Sequence, residues 1–182
     1  MIYSVELNFS DPSRETEWHA WYETYLMKLV SLDGLNTAQR FQAVAPETVT
    51  WRFLALYSLD SLDVYETDAY RNIGGGGNAS VAYHGAITRR RNVYEGIARM
   101  PEIGESGRIL YCEDAPYGFD LPNTLFTPLR AASGPRQAGA TSLDGQPTRR
   151  AIAVTDATTV DALKLTKMDG LAVYAPITKR HE

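Results

Sequence analysis

Cysteine is nearly absent: the one thiol of the chain, Cys112, stands in the apolar run "RILYCED". A disulfide framework is excluded, and a buried, inert thiol in a reducing cytoplasm is expected. Histidine is almost as scarce. His19, His84 and His181 are scattered and share no recognisable ligand spacing with Cys112, so no metal is expected. Positive charge is not in excess either: Lys plus Arg total 18 against 22 Asp plus Glu, a net charge of -4. That leaves no basic stretch to track a phosphate backbone and argues against a nucleic-acid partner. No charged leader and no apolar run of membrane-helix length is visible, so no membrane partner is expected. The "GGGG" at 74–77 lacks the Lys-Ser/Thr of a phosphate loop, and there is no G-x-S-x-G elbow for covalent hydrolysis.

What is there is patterned. The 182 residues suffice to bury about two thirds of the unfolded surface without staples. Residues 2–9 alternate Tyr3, Val5, Leu7 and Phe9 against Ile2, Ser4, Glu6 and Asn8, the period of a strand with one apolar face. From Arg14 the period becomes helical, with Trp18, Trp21, Tyr22, Tyr25, Leu26 and Leu29 on one stripe and Gly34 as the stop. "LNTAQRFQAVA" and "VTWRFLALYSLD" read as strands joined around Pro46, and Asp60 or Ser61 caps a short helix over "LDVYETDAYRNI". A flexible "GGGGNAS" leads into the strand "AYHGAITRRRNVYEGI".

Residues 1–103 thus spell β-α-β-β-α-β, the ferredoxin-like order. Residues 104–182 read as an abbreviated β-α-β half. Its parts are "RILYCEDA", a long loop over 116–148 that is functional or mobile, "RRAIAVTD", a helix "TTVDALKLTKM" and a strand "LAVYAPITKR". "KLVSLDGL" and "KLTKMDGL" match at five of eight positions. Either two helices share an Asp-Gly stop, or the second half is a degenerate tandem repeat.

"WYETYLMKLVSLDGLNTAQRF" and "ALYSLDSLDVYETDAYRNI" resemble the dimeric α/β-barrel superfamily, which includes EthD-like, antibiotic-biosynthesis-monooxygenase-like and muconolactone-isomerase-like proteins. The shared features are Trp-Tyr on helix one, an Arg-bearing strand after it, and an Ala-Leu-Tyr strand leading to a short helix with a Tyr-Arg pair. They cover about half of the chain. The resemblance implies an α+β fold in which two four-stranded antiparallel sheets form a barrel, with helices outside and a small-molecule pocket between sheet and helices. It also implies a homodimer, unless the second half closes the barrel within one chain. Where many relatives carry a histidine on helix one, this chain has Tyr25 counted back from Gly34, or Leu26 counted forward from Trp21 and Tyr22.

The residues able to carry chemistry follow from type and place. His84, where the Gly-rich stretch enters a strand, is the candidate acid/base, its alternative being an exposed loop histidine. Tyr25 can donate a proton in place of the missing histidine. Glu6 near Arg40 is either a structural ion pair or a carboxylate clamp with its orienting acid. Of Arg89, Arg90 and Arg91 at most two share a face, and Arg89 is the candidate anion holder. His19 points off the stripe and is expected in solvent, and His181 lies in the tail. Trp18, Trp21, Tyr22 and Tyr25, with Tyr65 and Tyr70 opposite, form either a core face or the wall of a partly open substrate pocket. Together these suggest a cofactor-independent enzyme doing proton-transfer chemistry, as a lyase, dehydratase or isomerase, on a small anionic aromatic or polyketide-like metabolite. The alternatives are a cofactor-free or haem-assisted monooxygenase and a non-catalytic stress-response barrel that binds small molecules.

Overall fold

The computed structural model describes residues 1–113, 121, 124–132, 137–138 and 141–182. The strands are β1 (Ile2–Phe9), β2 (Leu35–Ala43), β3 (Phe53–Leu59), β4 (Ile87–Glu95), β5 (Gly107–Cys112), β6 (Thr127–Ala131), β7 (Gln137–Ala138), β8 (Thr141–Ser142), β9 (Arg149–Asp156) and β10 (Leu171–Pro176). The helices are α1 (Glu15–Val30), α2 (Asp68–Asn72) and α3 (Ala157–Ala162). Eight of the strands form a closed antiparallel barrel in the order β1-β3-β2-β10-β5-β9-β6-β4, while β7 and β8 pair separately. The chain therefore has the α+β barrel fold. Closure leaves no unpaired edge in the barrel and needs no second copy.

The strand order is symmetric. β4-β1-β3-β2 and β10-β5-β9-β6 are both, by rank within their set, fourth-first-third-second, and the sets join through β2–β10 and β6–β4. The echo between Lys28–Leu35 and Lys164–Leu171 falls on non-equivalent places in this order, the entries to β2 and β10. What the two stretches share is the stop itself, with Gly34 at φ 84° and Gly170 at φ 75° in the left-handed region.

Period-two alternation sorts the side chains. On β1, Val5, Leu7 and Phe9 pack outward in one core with Trp18, Tyr22, Leu26 and Leu29 of α1. Ile2 points inward with Phe41, Leu54, Leu56, Tyr94, Ile109, Tyr111 and Ile152. α1 starts where the Asp11 carboxylate caps a short 3-10 turn, and Glu15 and Glu17 favour the positive end of the helix dipole. No helix among the described residues is long and apolar enough to cross a membrane.

Several boundaries differ from the sequence reading. "LDVYETDAYRNI" divides into a 3-10 helix, Leu62–Glu66, and α2, each with its own hydroxyl cap, Ser61 and Thr67. The Gly-rich stretch is not an open linker but a 3-10 helix, Gly75–Tyr83, so β4 starts later and His84 sits in the turn before it. A side chain on Gly75 would meet the ring of Tyr70 at 2.3 Å, which is why the stretch can lie so close. The stretch 116–148 is not one loop: it holds β6, which pairs with both β4 and β9, and the β7–β8 ladder. Its remaining part is largely outside the described residues, and so is a lid there. The helix "TTVDALKLTKM" breaks at Lys164, φ 53°, into α3 and a 3-10 turn, Leu165–Lys167.

Inside the barrel the buried Glu6 carboxylate accepts hydrogen bonds from Arg90 Nε and Nη2 at 2.8 and 3.0 Å. Arg150 Nη2 donates to both Glu6 oxygens at 2.8 Å. Removing one partner of such a pair leaves buried charge uncompensated. Glu6→Ala is expected to cost roughly 3–5 kcal/mol of stability, measured as a lowered midpoint of urea unfolding; an unchanged midpoint would show that the arginines can relax to solvent.

Candidate functional site

A cavity of about 620 Å³, its mouth included, lies between the outer face of β4-β1-β3-β2 and the helices above it. The sheet supplies Tyr3, Val5 and Leu7 from β1, Tyr57 from β3, and Ile87, Arg89 and Arg91 from β4. α1 contributes Trp21, Tyr22, Tyr25 and Leu29, while Tyr65, Tyr70 and Ser80 close the far side. Helical spacing explains the division of α1. Trp18 and Leu26 face straight down into the core, while Trp21 and Tyr25 sit at its flank, half-buried and stacked on each other at 5.4 Å and 10°.

The wall is held by ring and hydroxyl contacts. Tyr22 and Tyr57 share a hydrogen bond between their hydroxyls at 3.0 Å. Tyr3 lies opposite Tyr57 in the strand register, with ring centroids 5.3 Å apart, and Tyr65 packs edge-on against both Tyr3 and Tyr70. The Tyr65 hydroxyl is buried with no hydrogen-bond partner among the described residues and is available as a donor. Arg89 Nη1 reaches Ser80 Oγ at 3.4 Å, and the Arg91 backbone N–H donates to Asp144 at 2.6 Å.

The electrostatics of this lining are one-sided. Burial raises the phenols of Tyr22, Tyr57, Tyr65 and Tyr3 above their ordinary value, and Arg40 only partly offsets this at Tyr22. Tyr25 is raised too, mainly by burial and then by Tyr70. They stay protonated and donate. Among the described lining residues there is no carboxylate and no histidine. The described lining therefore presents hydrogen-bond donors and the guanidiniums of Arg89 and Arg91, and among the described lining residues none would take a proton near neutral pH.

The expected site residues are brought together only in part. Trp21, Tyr22, Tyr25, Tyr65 and Arg89 line the cavity. Trp18 does not: it is fully buried and stacked on Phe9 at 4.6 Å and 6°, because a helix leaning on a sheet buries its central position. His84 is exposed and lies off the lining. Glu6 and Arg40 never meet, since Glu6 registers with Leu54 and Arg40 with Ala55, and adjacent residues of a strand face opposite sides. Arg40 is buried under α1, its guanidinium carbon 3.9 Å from the Tyr22 ring centroid and 4.5 Å from that of Trp18.

His19 is not in solvent: its Nδ1 faces Arg40 Nη1 at 3.1 Å, and its Nε2 lies 3.6 Å from Glu15, which Arg52 grips with two hydrogen bonds. Burial and then Arg40 lower its pKa, so His19 accepts from Arg40 as a neutral ring. His181 is tied as well, its Nε2 2.6 Å from Glu23. The residues that sequence reasoning passed over are Tyr3, Tyr57, Ser80 and Arg91. Aligning the outward faces of β1, β3 and β4 beneath one helix would have found all but Ser80.

No family model and no curated protein matches the chain. Its fold is similar to solved structures over nearly the whole length. An anthrone oxidase-like protein aligns at TM-score 0.52 and 10% identity, over 99% of this chain and 92% of the other. A Fusobacterium nucleatum protein described as a monooxygenase gives 0.53 and 12%, over 100% and 94%. A protein described as a chlorite dismutase gives 0.55 and 8%, over 97% and 95%. At these identities the likeness shows the fold alone, that of an α+β barrel.

Raised phenols tie stability to pH. The native state keeps these protons where the unfolded chain loses them, so their contribution is full below about pH 10 and falls as pH rises beyond it. An absorbance titration of phenolate is expected to show a minority of the 11 tyrosines ionising before unfolding. Simultaneous ionisation of most of them in the folded protein would contradict the buried wall.

Proposed function

We propose that the cavity under α1 binds a planar aromatic or polyketide-like anion and stabilises it as its enolate or phenolate. The observation that carries this reading is the pairing of Arg89 and Arg91 with protonated phenols in an aromatic wall that contains no described carboxylate. Cations and donors placed where negative charge develops lower the cost of forming it in a site that excludes water. A carbon acid next to a carbonyl would lose its proton to the substrate's own oxygen base. The arginines and Tyr22 would hold the oxyanion, and the proton would return at another carbon, an isomerase outcome without a cofactor, or the enolate would expel a β-hydroxyl that takes the proton and leaves as water, a lyase outcome. His84 lies too far toward solvent for a direct part in this reading.

A second outcome starts from the same enolate: its carbon reduces dioxygen and forms a C–O bond, and the resulting hydroperoxide loses water to leave a ketone, a monooxygenase outcome in which the substrate supplies all the electrons. It is favoured by neighbours described as anthrone oxidase-like and as monooxygenases. The described lining has no histidine, cysteine or methionine to hold a haem iron, and burial keeps its tyrosines protonated rather than ready to ligate as phenolates, so the residues present do not fit a haem and no step is derived through one. We also read residues 104–182 as a reduced second copy of the 1–103 module, supported by the repeated strand order. A homodimer would meet through outer surfaces, since the barrel has no open edge.

Thermal shift against hydroxyaromatic acids, phenols, quinones and unsaturated lactones tests the binding, because a ligand of the native state raises the melting temperature. A selective rise with an acidic aromatic is expected. Arg89→Met should weaken that ligand about tenfold to a hundredfold, the worth of a charged hydrogen bond, with His84→Ala unchanged. An Arg89→Met variant with full affinity would sink the anion site. Oxygen uptake against anaerobic isomerisation of the same ligand separates the two outcomes, and affinity without either leaves a binding protein.

A further inference from the structure

A second cavity opens at one end of the barrel interior, about 760 Å³ with its mouth included, and shares no lining residue with the cavity under α1. Its floor is the Glu6 cluster. Two guanidiniums, Arg90 and Arg150, face one buried carboxylate, so one unit of positive charge is left over at this end. Glu6 occupies Arg90 Nε and Nη2 and Arg150 Nη2. The remaining terminal nitrogens, Arg90 Nη1 and Arg150 Nη1, both turn toward a single oxygen, Glu113 Oε1, at 3.5 and 3.8 Å. Those separations exceed good charge-assisted hydrogen bonds, and the Glu113 side chain is 63% exposed while that of Arg150 is 5% exposed. Arg150 Nε has no hydrogen-bond partner among the described residues. Glu113 is tethered at the end of β5 and covers the surplus charge loosely from outside.

We propose that this end of the barrel binds a small carboxylate with a flat apolar body, its oxygens replacing Glu113 on Arg90 Nη1 and Arg150 Nη1. The walls suit such a body. The Trp51 ring lies 5.6 Å and the Tyr111 ring 4.7 Å from the Arg90 and Arg150 guanidinium carbons, and Tyr174, whose hydroxyl donates to the Trp51 carbonyl at 2.9 Å, stands beside them. An untethered carboxylate can approach both nitrogens at hydrogen-bond length, whereas Glu113 stands 3.5 and 3.8 Å from them. A bidentate carboxylate also matches the guanidinium fork.

Benzoate is the probe, titrated by calorimetry and followed by tryptophan fluorescence in the full chain carrying Arg89→Met, which removes the arginine that would hold an acidic aromatic under α1. Three results are expected. Glu113→Gln removes the competing carboxylate from an exposed position and tightens benzoate about threefold to fivefold, the worth of an exposed ion pair no longer displaced. Arg90→Gln weakens it about tenfold or more, the loss of a charged hydrogen bond. In this background Trp51→Phe abolishes the benzoate-dependent change in fluorescence. Near-ultraviolet circular dichroism confirms that each variant is folded. Unchanged or weaker affinity in Glu113→Gln overturns the proposal, as does a benzoate-dependent fluorescence change that survives Trp51→Phe, which would put benzoate beside Trp21 under α1 instead. Absence of benzoate binding to both the natural chain and Glu113→Gln overturns it equally.

Discussion

Glu6 stands on β1 with its carboxylate between a guanidinium from each half of the barrel, Arg90 on β4 and Arg150 on β9. Three charges in a low-dielectric interior hold only if they stay together, because any one alone would be expensive to bury. The register follows from this placement. With Glu6 inward, Tyr3, Val5 and Leu7 must turn outward to α1, and on the neighbouring β4 the inward Arg90 forces Arg89 and Arg91 outward. One ionic contact inside the barrel thereby fixes which arginines reach the cavity outside it.

That cavity is built from rings that bury one another's hydroxyls, and burial keeps the phenols protonated. Tyr22 leans on Tyr57, Tyr3 on Tyr57 and Tyr65, and each ring removes water from the next. Arg40 lies beneath, charged and sandwiched against Trp18 and Tyr22, while Burial pulls its pKa down from the ordinary arginine value. His19, Glu15 and Arg52 continue the line to the surface. α1 is thus attached by charge at one end and by aromatic packing along its length.

Much of this was legible in the sequence. The alternation of residues 2–9 placed Glu6 and Tyr3 on opposite faces, and the helical stripe put Trp21, Tyr22 and Tyr25 together as either a core face or a pocket wall. The alternation of Arg89, Arg90 and Arg91 allowed at most two on a face, and Arg89 and Arg91 do share the cavity. What pattern reading could not supply was register between strands. Glu6 and Arg40 look like partners on separate strands, yet a one-residue offset on β3 sends them to different sides of the sheet. His84 lies off the cavity because the Gly-rich stretch, read as a flexible lead into a strand, is a 3-10 helix whose Gly75 packs against Tyr70 and delays the strand. β6 was missed because a five-residue strand containing Pro128 has little periodicity to read.

The two outer faces of the barrel have parted company. Beneath α1 the sheet presents tyrosines around open space, whereas beneath α3 it presents Leu110, Cys112, Ala151, Ala153 and Val173 packed directly against Val160 and Leu165. A barrel assembled from two identical chains must carry every substitution twice, so a residue that improves a ligand wall on one side is imposed on the other. Closure within one polypeptide lifts that symmetry: one face can be selected for chemistry while the other is selected for cohesion, and each mutation is tried once.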